Sequence, residues 1–434
     1  MNTNGLKCLL VVGGVMLLIR CTRNEDTIVI HGGGGSETEK KVVLSGQITE
    51  NQTLSADKVY IIEGVVRVKA GAKLSIPAGT TIYADANGEA VAALIIEQGA
   101  QIDARGTAAK PIVFTSNKPI PRAGDWGGIV VVGKAKINRS GGGGTAELEQ
   151  LAYGGTDDAD NSGILQYVRL EYTGHKFDAE HEYNAFSFYS VGSGTTVDHL
   201  QSYYGSDDGF EFFGGTVNVK YLVSTASADD SFDWTDGWRG KGQFLFAQQA
   251  KTGGDRGIEA DNLHKNPTAT PISHPILSNV TLIGADDGGT DNEGAHFRRG
   301  TQVTLINSLV TGFPKLGIEV ESKESNEALK SGVTVISNNI IDDQNPFVFK
   351  EDADTDYTGQ VDLSDFDAYH NYTSKTLPEG FLTIDKRSGF VTYDGDLEVK
   401  DPKTLDPSFF ESVDYIGAIR DAGHDWTRGW TRSL

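Results

Sequence analysis

Cysteine and several catalytic signatures are almost absent from this chain. Only Cys8 and Cys21 occur among 434 residues, so there is no cysteine cluster, and there is no close histidine pair. No Gly-x-Ser-x-Gly turn and no Gly-x-x-x-x-Gly-Lys-Ser/Thr loop occurs either. The sequence therefore gives little support for a serine or cysteine nucleophile, a zinc centre or a nucleotide-phosphate loop.

Proline and methionine are also rare, whereas glycine is abundant. The chain has 12 prolines and 2 methionines against 53 glycines. Glycine marks tight corners, where the backbone adopts conformations that other residues avoid. This composition favours many short strands joined by tight turns over a helical protein.

Positive charge is scarce as well. Lysine and arginine together number 38 against 60 aspartates and glutamates, which gives a formal charge of −22. A surface this acidic repels nucleic acid and anionic lipid head groups, so we expect no nucleic-acid partner. The charge favours cations or cationic partners, or it serves only to keep a long exposed solenoid soluble.

The N-terminus predicts a secretion signal. Residues 1–7 are short and positive, and the apolar run from Cys8 to Ile19 is twelve residues long, which is too short to span a bilayer. With Cys21 after it, the segment resembles a bacterial lipoprotein signal, although Arg20 stands where such signals have a small residue. The resemblance implies that residues 1–20 are removed and that Cys21 is lipidated. The alternative is a short buried helix with an incidental cysteine.

Residues 21–41 predict a flexible tether. They are polar and include the glycine run Gly32–Gly35, so they cannot bury enough apolar area to order themselves. Lipid, tether and acidic start together predict a protein held at the outer membrane through Cys21, at the cell surface.

A repeated three-residue pattern organises residues 186–320. An apolar, a polar and an apolar residue recur, and the middle residues are 24, 22, 26, 37 and 23 positions apart. Each interval suits about one coil of a solenoid, with one coil enlarged. Because alternate residues of a strand point to opposite faces, the middle residues are expected to point outward and stack. We call these middle residues the ladder: Ser187, Glu211, Asp233, Glu259, His296 and Glu319.

A second type of strand alternates with the ladder strand. Examples are Leu165–Tyr172, Val197–Ser202, Val217–Leu222 and Leu277–Leu282. Each coil therefore supplies strands to at least two parallel sheets, which predicts an all-β protein with a right-handed parallel β-helix. A leucine-rich horseshoe or a β-propeller fits the spacing less well. We assign residues 42–358 to the β-helix and residues 359–434 to a segment that caps its open end.

The stretch Gly124–Ala135 differs from the other strands. Its four apolar residues, Ile129–Val132, run without alternation between glycines. Such a run is typical of a strand covered on both faces, so we expect the following loop, residues 138–155, to lie over it.

Several motifs together resemble a family of secreted or surface β-helix lipoproteins of Gram-negative bacteria. They are Gly124–Gly128, Asp255–Asn262, Ser278–Gly284, Phe297–Thr301, Tyr415–Ala418 and Trp426–Thr431. The resemblance covers about residue 42 to the end, and it implies a β-helix at the cell surface. It brings no settled enzymatic activity, so no catalytic residue is carried over from it.

Aspartates gather beside the ladder. Two pairs, Asp207–Asp208 and Asp229–Asp230, lie 22 residues apart and precede Glu211 and Asp233 by the same offsets. Such density raises carboxylate pKa values unless cations or basic side chains neutralise it, and the candidates for that role are Arg239, Lys241, Arg256, Arg298 and Arg299. The predicted ligand-binding face comprises Asp207, Asp208, Glu211, Asp229, Asp230, Asp233, Arg256, Glu259, Asp261, His296, Arg298 and Glu319.

Three interpretations of this face stay open. It is a structural network of carboxylates and arginines, a cation site, or the active site of an enzyme. The candidate catalytic residues are Asp207, Asp208, Glu211, Asp233, Glu259 and His296. His296 is either an acid or base or a surface histidine with its hydrogen bonds satisfied, and we favour the latter.

One loop imitates a calcium loop without completing it. Asp158, Asp160 and Ser162 place oxygens at the first, third and fifth positions, and Gly163 follows, but the twelfth position is Arg169. A bidentate glutamate is needed there, so the loop is no EF-hand. It stays a candidate Ca²⁺ site of another geometry, and no other cofactor is indicated.

Two functions follow from this pattern. The first is a non-catalytic surface protein that binds a ligand or partner on the acidic face, such as a nutrient-uptake transporter or a surface polysaccharide. The second is a polysaccharide hydrolase or lyase, because a β-helix can present outward carboxylates along a groove.

Overall fold

The computed structural model describes residues 41–434 except 147, 179–180, 252, 286–291, 344, 353–354, 357–369, 374–375, 386–387 and 394. The predicted signal peptide, Cys21 and the tether up to residue 40 lie outside the described residues, so their assignment stays a prediction, whereas Lys41, which we had placed in the tether, already belongs to the first strand. No helix in the described part of the chain is long and apolar enough to cross a membrane.

Short strands make up most of the described chain. The first are β1 (Lys41–Ile48), β2 (Gln52–Thr53), β3 (Val59–Val68), β4 (Lys73–Pro77), β5 (Thr81–Ala84), β6 (Ala93–Ile96), β7 (Gln101–Arg105), β8 (Ile112–Ser116), β9 (Ile129–Val132), β10 (Gly143–Thr145), β11 (Ala152–Gly154), β12 (Gly163–Glu171), β13 (Phe186–Tyr189), β14 (Thr196–Tyr203), β15 (Phe210–Phe213) and β16 (Asn218–Thr225). After these come β17 (Phe232–Thr235), β18 (Lys241–Gln248), β19 (Arg256–Ala260), β20 (Ile276–Ile283), β21 (Glu293–Phe297), β22 (Thr304–Ile306), β23 (Leu309–Thr311), β24 (Leu316–Glu321), helix α1 (Lys323–Lys330), β25 (Val335–Ser337), β26 (Ile340–Asp342), β27 (Phe347–Asp352), β28 (Thr355–Asp356), β29 (Tyr372–Thr373), β30 (Leu382–Asp385) and β31 (Phe390–Tyr393).

The strands stack in three parallel columns, which confirms the parallel β-helix. The ladder column runs through β6, β9, β13, β15, β17, β19, β21, β24 and β27. A second column contains β4, β7, β12, β14, β16, β18, β20, β22 and β25. The third column starts with β5 and β8. It continues through the C-terminal halves of the long strands β12, β14, β16, β18 and β20, and then through β23, β26 and β29.

The interior is a continuous apolar core. The apolar neighbours of the ladder residues point inward and stack from coil to coil, with ring centroids 5.0 Å apart for Phe186 and Phe210 and 5.6 Å apart for Phe210 and Phe232. All three side chains are buried. Burial of this inner face fixes the strand register, because a slip of one residue would turn every ladder side chain inward.

A row of left-handed residues bends each long strand between the second and third columns. The row comprises Tyr167, His199, Tyr221, Phe244, Asn279, Asn307 and Asn338, all with positive φ. The four rings stack at centroid distances of 4.1, 4.3 and 4.9 Å along the row. Asparagine tolerates this backbone conformation better than most residues, which suits the last three bends.

The loop after β9 covers that strand as expected. All four residues of β9 are buried, and Val130 and Val132 pack with Leu151 and Tyr153 of the loop. The short pair β10 and β11 within the loop is antiparallel. Apolar side chains of the loop therefore cover β9, the strand that pairs with β13 at the start of the ladder.

The C-terminal segment lies along the side of the coils. Asn338 donates to the Glu398 carbonyl over 3.1 Å, and Asn307 donates to the Lys400 carbonyl over 2.7 Å. The backbone N–H of Arg432 donates to the side-chain oxygen of Gln201 over 2.8 Å. We expected residues 359–434 to close the open end. The described contacts show a lateral brace instead, and end-capping stays a prediction for the residues outside the description.

Helix α1 was not expected from the sequence. Ser322 caps its N-terminus by accepting a 3.3 Å hydrogen bond from the backbone N–H of Ser325, and Leu329 reaches the apolar core. The helix is a short excursion between β24 and β25.

Candidate functional site

The ladder forms as predicted. Neighbouring strands pair Ser187 with Glu211, Glu211 with Asp233, Asp233 with Glu259, Glu259 with His296 and His296 with Glu319, all in parallel register. The enlarged coil of 37 residues inserts a loop and does not shift the register. The structure thus brings the predicted face residues into one column and the corner beside it.

Two aspartate corners lie next to the ladder. Asp208 and Asp230 occupy equivalent turns directly before β15 and β17, and both are buried. Gly209 is required after Asp208, since a Cβ there would stand 2.6 Å from the Ser224 hydroxyl and 2.7 Å from the Ser231 carbonyl. The backbone is therefore closely packed at this corner, and the Asp208 side chain accepts a hydrogen bond from the backbone N–H of Asp230 on the next coil.

These corners and the ladder share one group of carboxylates, which we call the acidic cluster. One oxygen from each of Asp208, Glu211 and Asp233 lies within 4.8 Å of the others. The same limit holds within the sets Asp208, Asp229, Asp230 and Asp230, Asp233, Glu259. The acidic cluster is therefore Asp208, Glu211, Asp229, Asp230, Asp233 and Glu259.

Three carboxyls of the acidic cluster favour the protonated form. Burial, and then the neighbouring carboxylates, raise the pKa values of Asp208, Asp230 and Asp233 well above the ordinary aspartate value. Oxygen ligands on a rigid frame also suit a hard cation, so Ca²⁺ could replace those protons. The donor set fits such an ion better than a soft metal.

A second acidic group lies beside the cluster. Asp207, Glu182 and Asp229 each have an oxygen within 4.8 Å of the others, and Lys176 Nζ is 3.4 Å from Asp207 Oδ1. Burial, followed by the hydrogen bond with Glu182, raises the pKa of Asp207 to about 8. Burial acts to raise the pKa of Glu182, but its hydrogen bonds with Asp207 and Lys176 hold that pKa below the ordinary value. One carboxyl is therefore kept protonated while its neighbour is ionised.

Arginines neutralise the next part of the ladder. Glu259 pairs with Arg256 at 2.7 Å and also with Arg298, which is 2.7 Å from Asp261 through its Nε. Arg299 reaches the other Asp261 oxygen at 2.5 Å. The predicted neutralising role is confirmed for these three arginines.

Arg239 and Lys241 do not take part in it. Arg239 pairs with Asp158 at 3.1 Å, and Lys241 pairs with Asp406 of the C-terminal segment. Lys241 begins β18 in the second column and Arg239 lies in the loop before it, so neither belongs to the ladder column.

His296 is not the satisfied surface histidine that we favoured. Its exposed fraction is only 5%, and neither ring nitrogen makes a hydrogen bond of acceptable geometry with the described residues. Glu293, Glu319 and Glu321 surround the ring. The sequence alone does not show this burial, because it depends on the coils above and below.

The calcium-like loop has partners of its own. Asp158 Oδ1 accepts from the backbone N–H of Lys136 at 3.0 Å and from Arg239 at 3.1 Å, and Ser162 donates to Asp160 over 3.3 Å. The pKa of Asp160 is raised by burial. Calcium at Asp158, Asp160 and Ser162 stays a prediction.

Three site residues were missed in the sequence. Glu321 was detectable, since it lies two residues after Glu319 and so shares its outward side. Lys176 and Glu182 have no such periodic signal, because a loop brings them to the site.

The fold also has a counterpart among known protein families. A model of a pectate-lyase-like beta-helix domain matches residues 46–431. No curated protein and no solved structure matches the chain.

Proposed function

Because the chain belongs to the pectate-lyase-like beta-helix family, we propose that it cleaves a polysaccharide with carboxyl groups as acid and base. The observation that carries this proposal is the contact between Asp207 and Glu182, whose pKa values are driven in opposite directions. Glycosidic bond cleavage uses one protonated and one ionised carboxyl, which stand about 5 Å or more apart with the sugar between them, so substrate must separate the Asp207–Glu182 contact.

Asp207 is the proton donor in this proposal. With a pKa of about 8, its carboxyl carries a proton at neutral pH and can give it to the leaving oxygen. Glu182, ionised beside Lys176, is the base: it takes a proton from the water that adds to the anomeric carbon, so one proton is given to the leaving oxygen and one is removed from the attacking water. Asp208 and Asp233 extend the same acidic surface along the ladder, where neighbouring sugar units would lie.

Hydrolysis is favoured over elimination. A lyase needs a base that removes a proton from carbon, and the basic side chains closest to the cluster are all ion-paired. Burial acts to lower the pKa values of Lys176, Arg256 and Arg298, but their carboxylate partners raise all three. None of these three side chains is suited to accept a proton.

Calcium fits this proposal as an accessory ion. Where bound by Asp208, Glu211 and Asp233, it would supply positive charge that attracts an acidic sugar. Lipid on Cys21 would hold the chain at the outer-membrane surface, where extracellular polysaccharide is accessible. Growth with labelled fatty acid tests that placement, since a Cys21→Ser chain should lose both the label and the membrane fraction.

The experiment compares three purified chains on polygalacturonate, alginate and xylan. New reducing ends should appear with the natural chain and fall by about 100-fold or more in Asp207→Asn. Asp57→Asn, which changes a fully exposed carboxylate in the first coils, should leave the rate unchanged. Product absorbing near 235 nm would indicate a lyase, and no new ends on any polymer would refute cleavage.

A non-catalytic binding protein is the second candidate. It is favoured by the salt bridges of Glu259 and Asp261, which fix a charged surface without leaving those carboxylates available for chemistry. Retention on immobilised polysaccharide, or capture of a transporter from intact cells, without any product would support it. Retention that is unaffected by alanine at Glu211, Asp233 and Glu259 would count against it.

A further inference from the structure

We propose that His296, Glu319 and Glu321 bind a divalent transition-metal ion, with Zn²⁺ as the best fit. His296 lies on β21 and pairs in register with Glu319 on β24, one coil further along. Glu321 follows two residues later and so projects from the same side of β24. One ligand atom from each of the three side chains lies within 4.8 Å of the others.

The spacing of the ligand atoms suits a tetrahedral ion. His296 Nε2 is 3.3 Å from Glu321 Oε2 and 3.6 Å from Glu319 Oε1. Bonds of 2.0–2.1 Å at tetrahedral angles place two ligand atoms about 3.4 Å apart. The two pairs that include His296 Nε2 are therefore spaced as ligands of one zinc ion, and the two glutamate oxygens lie within 4.8 Å of each other.

Two of the three side chains have unsatisfied atoms. His296 Nε2 and Glu319 Oε2 are buried and make no hydrogen bond of acceptable geometry with the described residues. Unsatisfied polar atoms at this depth destabilise the fold, because they give up hydrogen bonds to water and gain none in return. An ion that accepts the nitrogen lone pair would remove this destabilisation at His296 Nε2, and it would remove the destabilisation at Glu319 Oε2 where it contacts both oxygens of that carboxylate.

The second ring nitrogen of His296 faces a carboxylate, as it does in known metal sites. Glu293 Oε2 is 3.3 Å from His296 Nδ1, and Glu293 is itself held by Lys315 at 2.6 Å and Arg256 at 3.2 Å. Metal-binding histidines usually direct their second ring nitrogen at a carboxylate, which fixes the tautomer. Glu293 is in position for that role.

A protonated His296 paired only with carboxylates is the competing explanation. Its ring nitrogens stand 3.3 Å from Glu293 and from Glu321, which is close enough for a contact with Glu321 to lower the pKa of that carboxyl, but neither nitrogen forms an aligned hydrogen bond. Glu293 and Glu319 also have cations of their own, since Lys350 Nζ is 3.6 Å from Glu319. The imidazole ligand separates this site from the all-oxygen acidic cluster, and it selects zinc over calcium.

Zinc binding to the full chain tests the site independently of any polysaccharide activity. After chelator treatment, calorimetric titration with Zn²⁺ should show one equivalent bound, and Co²⁺ should give the strong visible bands of a tetrahedral site. His296→Gln should weaken binding by more than about 100-fold, and Glu293→Gln by about 10- to 100-fold. His264→Gln, which changes an exposed histidine, should bind as the natural chain does.

Glu321→Gln tests the same site if His296→Gln does not fold. The Glu321 side chain is 17% exposed, so Glu321→Gln should fold and still lose most of its Zn²⁺ affinity. A natural chain that binds no Zn²⁺ would overturn the proposal. Binding that survives both substitutions, or that is lost instead in Asp208→Asn, would overturn it as well.

Discussion

The backbone N–H of Asp230 donates a hydrogen bond of 2.9 Å to the carboxylate of Asp208, its equivalent one coil earlier. Asp230 in turn accepts from the backbone N–H of Arg256 at 2.7 Å. Each aspartate therefore joins its own corner to the next coil. This repeated bond also brings carboxyls of successive coils together, and their repulsion adds to burial in raising the pKa values of Asp208, Asp230 and Asp233.

The first prediction concerns pH. Asp207, Asp208, Asp230 and Asp233 have folded-state pKa values above the ordinary 3.8, so the folded chain binds more protons than the unfolded chain. Their stabilising contribution is complete below about pH 4 and is lost as pH rises through the folded values, near 8 for Asp207. Urea unfolding from pH 4 to 9 should show this decline, at about 1.4 kcal/mol per unit of pKa shift.

Asp208→Asn is the matched variant for this measurement. Its amide oxygen can still accept the Asp230 N–H, but it cannot ionise. The decline with pH should become shallower, whereas Asp57→Asn should leave it unchanged because that carboxylate is exposed. An identical pH profile for all three chains would mean that Asp208 does not titrate above the ordinary range.

The second prediction concerns calcium. If Ca²⁺ replaces protons in the acidic cluster, it should raise the melting temperature more at pH 8 than at pH 5, where protons compete. Asp233→Asn should abolish the effect. An effect that disappears instead in Asp160→Asn would place the ion in the loop of Asp158, Asp160 and Ser162.

The third prediction concerns the paired part of the ladder. Arg298 links Glu259 to Asp261 and is mostly buried, so Arg298→Gln should cost about 2 kcal/mol of unfolding free energy. Arg420→Gln serves as the control, because its side chain is 47% exposed and surface pairs contribute less than about 1 kcal/mol. Equal losses in urea unfolding would show that the Arg298 bridges add little.

The fourth prediction concerns the C-terminal segment that lies along the side of the coils. Trp430 is fully buried, and its ring lies edge-on to Tyr167 at a centroid distance of 5.6 Å. Trp430→Ala should cost about 3–5 kcal/mol and open the C-terminal segment to limited proteolysis. Leu434→Ala, an exposed terminal residue, should behave as the natural chain. A Trp430→Ala chain with unchanged protease resistance would contradict the structural role of this contact.

The repeat made the fold and the ladder predictable. Glu211, Asp233 and Glu259 are each flanked by buried apolar residues, and that alternation sets both register and direction. The residues that surround the ladder were harder to predict. Glu182 and Lys176 arrive on a loop without periodicity, and the burial of His296 depends on carboxylates from two coils.

The lateral course of the C-terminal segment has a consequence for how the molecule unfolds. Coils of a solenoid contact only their neighbours, so an unbraced stack can fray from either end. Here one segment bonds in turn to Arg169, Gln201, Tyr221, Gln243, Asn279, Asn307 and Asn338. These contacts connect coils that never touch each other, and the coils they span should therefore unfold together as one cooperative unit.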